Sequence, residues 1–317
     1  MNTRLTLIAA TLAALSAPSF AGSALELYGK INVTVESEDT DASGDKVKLV
    51  SNASRFGIKG DLGISEGLEA FYQLEWEVDP ADADKGSNDN IKSRNQIVGL
   101  RGSAGTVFAG RHDTPLKVAQ NKVDLFNDYV GDIKTIFNGE IRASNIIQYS
   151  TPEMGGFGVN VASVLQEGKN GNDGAFDATS ISVEWSNKNL YFAVAQDSGV
   201  ETYTSGTPAV VNDTDTLRVV GQFKLGNFQI GALWQEREAA TDTDGMLFSL
   251  AYKAGDHTFK GQVGESDILA QGGESTSVGW DYKLAKNIQT TVFYTMYESD
   301  AANSGKDNLG LGLEVKF

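Results

Sequence analysis

From residue 24 to the last residue, the chain repeats its chemistry at every second position. Leu25, Leu27, Gly29, Ile31, Val33 and Val35 alternate with Glu26, Tyr28, Lys30, Asn32 and Thr34. The same period returns across 68–78 and again in 276–284, where Val278, Trp280, Tyr282 and Leu284 oppose Ser277, Gly279, Asp281 and Lys283. It closes the chain with Leu309, Leu311, Leu313, Val315 and Phe317 set against Gly310, Gly312, Glu314 and Lys316. Successive strand side chains point to opposite faces, so this period predicts strands with one apolar and one polar face. Helical periodicity is weak outside residues 1–21 and part of 114–129. The reading is an all-β chain of about sixteen strands.

Connections of two kinds take turns along the chain. Short Gly/Asn-type turns, which suit tight hairpins because they tolerate positive φ, fall at 61–67, 102–105, 152–156, 186–189, 226–227, 254–256 and 285–287. Longer polar loops fall between them at 36–46, 79–90, 112–139, 166–178, 198–214, 237–244, 267–273 and 299–307. This alternation predicts an antiparallel up-and-down meander with both termini at the short-turn end.

Arg4, an apolar run over 5–17 and the small residues Ser19 and Ala21 form the pattern of a cleaved secretory signal peptide, residues 1–21. Nothing after it reaches the roughly 18–20 apolar residues of a membrane-spanning helix. A soluble sandwich would pack its apolar faces together. A membrane barrel turns them to lipid and the polar faces to a lumen, and leaves no edge unpaired. An exported chain with strands of about ten residues and aromatics near their ends fits the barrel. Residues 22–317 are therefore expected to form one transmembrane β-barrel.

Charge and composition exclude other classes. The chain carries 42 acidic against 26 basic residues, which repels phosphate backbones and argues against nucleic acid as a partner. There is no cysteine, so no disulfide, thiolate nucleophile or Cys-bound zinc can form. His112 and His257 are the two histidines, and no triad is recognisable around them. Stretches 82–86 and 242–245 lack the twelve-residue spacing of a calcium loop. The expectation is no cofactor, no metal and no catalysis.

Four segments carry a family resemblance: Leu27-Tyr28-Gly29-Lys30, then Ser54-Arg55-Phe56-Gly57-Ile58-Lys59-Gly60, then Arg94-Asn95-Gln96-Ile97-Val98-Gly99-Leu100-Arg101-Gly102 with Val107-Phe108-Ala109-Gly110-Arg111, and the terminal Phe317. In this order they resemble the general porins of the Gram-negative outer membrane, sixteen-stranded barrels that assemble as trimers. The resemblance implies a water-filled channel for small hydrophilic solutes in the outer membrane, with lipid and lipopolysaccharide around it. It implies a homotrimer and recognition of Phe317 by the barrel-assembly machinery.

Residues 112–139 are too long for an ordinary hairpin and contain apolar Leu116, Val118, Val123, Leu125, Phe126, Ile133, Ile136 and Phe137. The resemblance implies that this third loop folds inward as the constriction. It implies a basic wall of Lys30, Arg55, Arg94 and Arg142 facing loop acids Asp124 and Asp128, with Asp113, Asp132 and Glu140 as secondary candidates. The Pro-Glu-Phe-Gly-Gly stretch of enteric porins is replaced here by Asn127-Asp128-Tyr129-Val130-Gly131-Asp132, so the acid at 128 rests on register. Strand parity sends Arg55 inward with Gly57 and Lys59, whereas Arg94 shares its side with Gln96, Val98 and Leu100. An Arg facing mid-membrane lipid costs roughly 2–4 kcal/mol, which favours the lumen for all four bases. Opposed charges about 8 Å apart in water interact by only ~0.5 kcal/mol, so a modest, salt-sensitive field is expected. The acidic excess predicts a mild preference for cations. A substrate-specific channel for a sugar or an anion, or a barrel adhesin or enzyme, are the alternative readings.

Overall fold

The computed structural model describes residues 25–82, 90–165, 167, 174–200 and 214–317. The expected signal peptide lies outside the described residues. Seventeen strands are present among them: β1 (Glu26–Thr40), β2 (Lys46–Ser51), β3 (Arg55–Ser65), β4 (Leu68–Val78), β5 (Ile91–Gly102), β6 (Gly105–Asp113), β7 (Arg142–Ser150), β8 (Phe157–Val164) and β9 (Thr179–Ser186). The series continues with β10 (Leu190–Ser198), β11 (Asp215–Leu225), β12 (Phe228–Glu238), β13 (Thr243–Ala254), β14 (His257–Ser266), β15 (Gly273–Ala285), β16 (Ile288–Glu298) and β17 (Lys306–Lys316). Sequence neighbours pair antiparallel except β2 and β3, which both pair with β1, and β17 pairs with β1 to close the sheet.

β2 and β3 are two halves of one stave. Residues 33–38 of β1 pair with β2, while 26–30 pair with β3. Sixteen staves therefore make the barrel. Across the break at 52–54, Ser54 Oγ accepts from the Asn32 amide at 2.9 Å and donates to the Asn32 carbonyl at 3.1 Å, standing in for a ladder rung.

Inside and outside are exchanged relative to a soluble protein. Val278 is 53% exposed while its neighbour Ser277 is 1% exposed. Val35, Leu309, Leu311 and Leu313 likewise face outward, and Thr34, Asn308 and Thr291 are buried. No described helix is long and apolar enough to cross a membrane, so the crossing falls to the strands. Every stave pairs on both sides, as hydrocarbon requires.

Three long-side connections are shorter than the polar sequence suggested. β1 continues through Thr40 and β2 begins at Lys46, so the expected loop at 36–46 shrinks to 41–45. Glu36 and Glu38 stay in the strand because inward lysines meet them: Lys46, Lys48 and Lys306 lie 2.7–2.8 Å from Glu38. The connections expected at 237–244 and 299–307 also tighten, to 239–242 and 299–305.

A β-bulge settles the facing of Arg94. Leu74 pairs with Gln96 but Trp76 pairs with Ser93, so β5 holds one extra residue opposite Glu75. Arg94 and Asn95 both turn inward, and beyond them the parity is reversed. Val98 and Leu100 thus face lipid while Ile97 is buried.

Barrel closure joins two of the sequence motifs. Gly29 and Phe317 exchange backbone hydrogen bonds of 2.9 and 3.0 Å. A Cβ on Gly29 would lie 2.5 Å from the Arg55 carbonyl oxygen and 2.6 Å from the Phe317 ring. Gly29→Val should therefore loosen the seam between first and last staves. The expected outcome is a lower unfolding temperature of the folded barrel in detergent, read by gel mobility after graded heating; an unchanged profile would contradict this role for Gly29.

Candidate pore constriction

The segment between β6 and β7 enters the barrel and lies on its inner wall. It opens with a short helix, α1 (Pro115–Ala119), capped by Thr114, whose hydroxyl accepts from the Lys117 amide at 3.3 Å. A 3₁₀ turn follows at Ile133–Thr135, capped by Asp132. Leu116, Val123, Ile133, Ile136 and Phe137 are fully buried against Ala193, Ala195, Val220, Leu233 and Leu247 of β10–β13. Small wall residues make the seat. A Cβ on Gly264 would stand 2.6 Å from Ile136 Cδ1, and one on Gly231 would stand 3.0 Å from Val123 Cγ1. Five large apolar side chains removed from water favour docking by on the order of 10 kcal/mol, before the entropy of ordering the loop is subtracted. Taking charges out of water offsets much of what their pairing gains, so apolar packing is the larger net contribution to the docking.

Arg218 of β11 ties both ends of the loop to the wall. Its guanidinium is fully buried and donates to Glu140 at 2.8 Å, Gln235 Oε1 at 2.8 Å, the Asn138 carbonyl at 3.1 Å and the Leu116 carbonyl at 3.4 Å. Burial pushes the Glu140 carboxyl above its ordinary value, while Arg218 and Lys117 oppose that rise. The sequence reading missed Arg218. Its alternation with buried Thr216, Val220 and Gln222 was the available signal.

At the tip the loop crosses to the opposite wall. Asp128 adopts φ 72°, in the left-handed region. Lys30 Nζ lies 3.0 Å and Arg55 Nη1 3.3 Å from Asp128 Oδ2. Burial disfavours the Asp128 charge, but Lys30 and Arg55 outweigh it and hold the carboxyl below its usual range. Asp124 and Asp132 serve the loop itself. Asp124 accepts from the Phe126 and Ile133 amides at 2.9 and 3.2 Å, and Asp132 from the Asp128 and Lys134 amides at 2.9 Å each. Burial, followed by the nearby Asp132 charge, pushes Asp124 up to about 7.

Between the loop and the β3–β7 wall lies an open cavity of about 530 Å³. Arg55, Arg94, Arg142, Asp113, Asp124, Asp128, Asp132 and Glu140 all line it. Lys30 joins them through Asp128. The expected spacing of about 8 Å between opposed charges gives way to contact. Besides the Asp128 pairs, Arg142 meets Asp113 at 3.1 Å and Arg94 meets Glu75 at 2.7 Å and also Glu77. The tip reaches the wall, and wall acids that the sequence reading omitted neutralise Arg94. Glu75 and Glu77 share the inward parity of β4 with Phe71 and Gln73, which is the pattern that could have flagged them.

The two histidines are held in different surroundings. His112 packs on Phe108 with ring centroids 4.8 Å apart, and its Nδ1 lies 2.7 Å from the Asp113 carbonyl. His257 stacks with Phe259 and Trp280 and packs at a tilt on Tyr282. Among the described residues no group of three His, Asp or Glu side chains is arranged to hold a metal ion.

A closed sixteen-stave barrel, apolar outside and polar within, narrowed by a charged internal loop, defines a transmembrane channel. The sequence model of the Gram-negative porin family matches residues 7–302, and the chain belongs to that family. It is a general channel protein of the Gram-negative outer membrane. Among its relatives, outer membrane porin protein 32 of Delftia acidovorans is 25% identical over 98% of this chain and 92% of the relative. Major outer membrane protein P.IB of Neisseria meningitidis serogroup B is 27% identical over 98% and 99%. The fold matches that of an anion-selective porin from Comamonas acidovorans, with TM-score 0.74, 19% identity and coverage of 93% of this chain and 99% of the other. A Salmonella typhi OmpF structure gives TM-score 0.75 at 16% identity over 92% and 97%.

Two outcomes follow from this geometry. Arg218→Met leaves the Glu140 carboxylate buried without its partner, a loss of about 3–5 kcal/mol. Limited proteolysis of folded protein in detergent should then cut within 116–140 where the unaltered barrel resists; equal resistance would refute the anchor. For Asp124 the folded-state value lies above that of the unfolded chain. The folded loop thus binds more protons between about pH 4 and 7, and its docking weakens as pH rises through that window. The same proteolysis should quicken from pH 5 to pH 8, and Asp124→Asn should flatten the dependence.

Proposed function

We propose that the channel passes small hydrophilic solutes and ions by passive diffusion, with residues 112–139 as its constriction and selectivity set by size and local charge. No reaction is assigned. The observation that supports this reading is the contact of Asp128 with Lys30 and Arg55, beside which lies a polar cavity. Water-filled narrowing of this kind orders dipolar solutes, while apolar ones lose hydration without gaining contacts.

The charge of the whole chain is a poor guide to the sign of selectivity. Arg55, Arg94, Lys117, Lys122, Lys134 and Arg142 on the cavity wall are matched by Glu77, Asp113, Asp124, Asp128, Asp132 and Glu140. Glu140 is tied to buried Arg218 and Glu75 meets Arg94, so the cavity wall stays close to charge balance. On this reading the eyelet is near-balanced in charge, and the mild cation preference expected from the acidic excess has no counterpart in the cavity lining.

The family supports assembly as a homotrimer, and one solved neighbour of the fold, OmpT of Vibrio cholerae, is described in a trimer form. Phe317, exposed at the end of the last stave, is the residue offered to the assembly machinery, and the outer lipid with its lipopolysaccharide surrounds the belt.

Planar-bilayer recording tests the reading. Reversal potentials under a KCl gradient should shift by roughly twofold in permeability ratio towards chloride in Asp128→Asn, the equivalent of ~0.5 kcal/mol, and the shift should shrink at high salt. An unchanged potential at low salt would remove Asp128 from the constriction. Liposome swelling should follow solute size, and saturable uptake of one sugar class would favour a specific channel instead.

A further inference from the structure

We propose that Lys260 is the positioning residue that fixes the width of the constriction, holding the loop tip through its charge on the faces of two aromatic rings. The inference rests on the reading of 112–139 as the constriction.

Lys260 projects inward from β14 and is almost wholly buried. Its Nζ lies 4.8 Å from the Phe126 ring centroid and 5.4 Å from that of Tyr129, with Asp281 Oδ2 at 3.1 Å. Phe126 and Tyr129 stand either side of Asp128 in sequence. Their rings grip β14 while the left-handed backbone at 128 sends its carboxylate to β1 and β3. The tip is thereby stretched between a cation on one wall and two on the other. Tyr129 completes the span, accepting from Asn32 Nδ2 at 3.1 Å and packing on Phe293 with centroids 5.2 Å apart.

Space beside the clamp is kept by glycine. A Cβ on Gly279 would lie 3.0 Å from both Lys260 Cε and the Phe126 ring. Gln262 adds two neutral contacts on the same strand, to the Leu125 amide at 2.8 Å and the Gly131 carbonyl at 3.1 Å. These fix the backbone flanking the tip, whereas the rings are held by the cation. A cation over an aromatic face gains strength as water is removed, and this one is shielded by the loop itself. Wall-side ion pairs at Asp128 face the cavity and are screened by salt, so the Lys260 clamp is the salt-resistant half of the suspension.

The test uses the full-length channel in planar bilayers. Lys260→Met alone would strand Asp281, so the informative variant is Lys260→Met with Asp281→Asn, which removes both charges and keeps the packed chain length. The expected result is a second, larger conductance level occupied about tenfold more often than in the unaltered channel, together with a reversal potential shifted towards anions as Asp128 leaves its partners. Lys260→Arg should restore unaltered behaviour. Phe126→Leu, with Lys260 and Asp281 intact, provides a second route should the paired variant fold poorly. It should give the same extra level, and combining it with the paired variant should add nothing further. Unchanged conductance levels and reversal potential in either variant would overturn the clamp. If Asp128→Asn shifts selectivity while the Lys260 and Phe126 variants do not, the constriction stands and this inference alone falls.

Discussion

Hydrocarbon leaves no place for an unpaired amide, and the rest of the molecule is arranged around that fact. A sheet in lipid must close, so β17 meets β1 and the terminal Phe317 bonds back to Gly29. Closure in turn brings the polar face of every stave round one interior. Polar residues gather round a shared lumen without choosing one another individually, and the lumen becomes the space in which a loop can fold.

The loop uses two different physical terms in two different places. Along β10–β13 it is held as a soluble core is held, by apolar side chains seated against Ala, Val, Leu and Gly on the wall. At its tip it is held by charge, with Asp128 on Lys30 and Arg55 and the rings of Phe126 and Tyr129 on Lys260. The first term is not screened by salt as ion pairs are, and its strength comes from area. The second determines where the passage lies and what field it carries. Buried Arg218 links them, since it binds the loop's two ends from a stave that also packs its apolar side.

Such an arrangement separates overall charge from local charge. The acidic excess sits largely on outer connections, while the cavity wall carries as many basic as acidic groups. Screening over about 8 Å at physiological ionic strength confines each group's influence to its neighbourhood. What an ion meets at the narrowing is therefore decided by which acids are paired and which bases remain open to water.

Period-two alternation was enough to read the class of fold, the stave count and the inward facing of Arg55, because strand parity is a property of consecutive residues. The length and apolar content of 112–139 marked the inner loop. Parity failed at Arg94, where a bulge inserts one residue and flips the face, and local composition failed at Glu36 and Glu38, whose lysine partners come from other segments. Glu75, Glu77, Arg218 and Lys260 acquire their roles only when staves far apart in sequence share one lumen. The sequence by itself determined the faces of the strands, since those depend on neighbours along the chain. Only the closed barrel decided which charges touch, since that depends on distances across a space no single strand encloses.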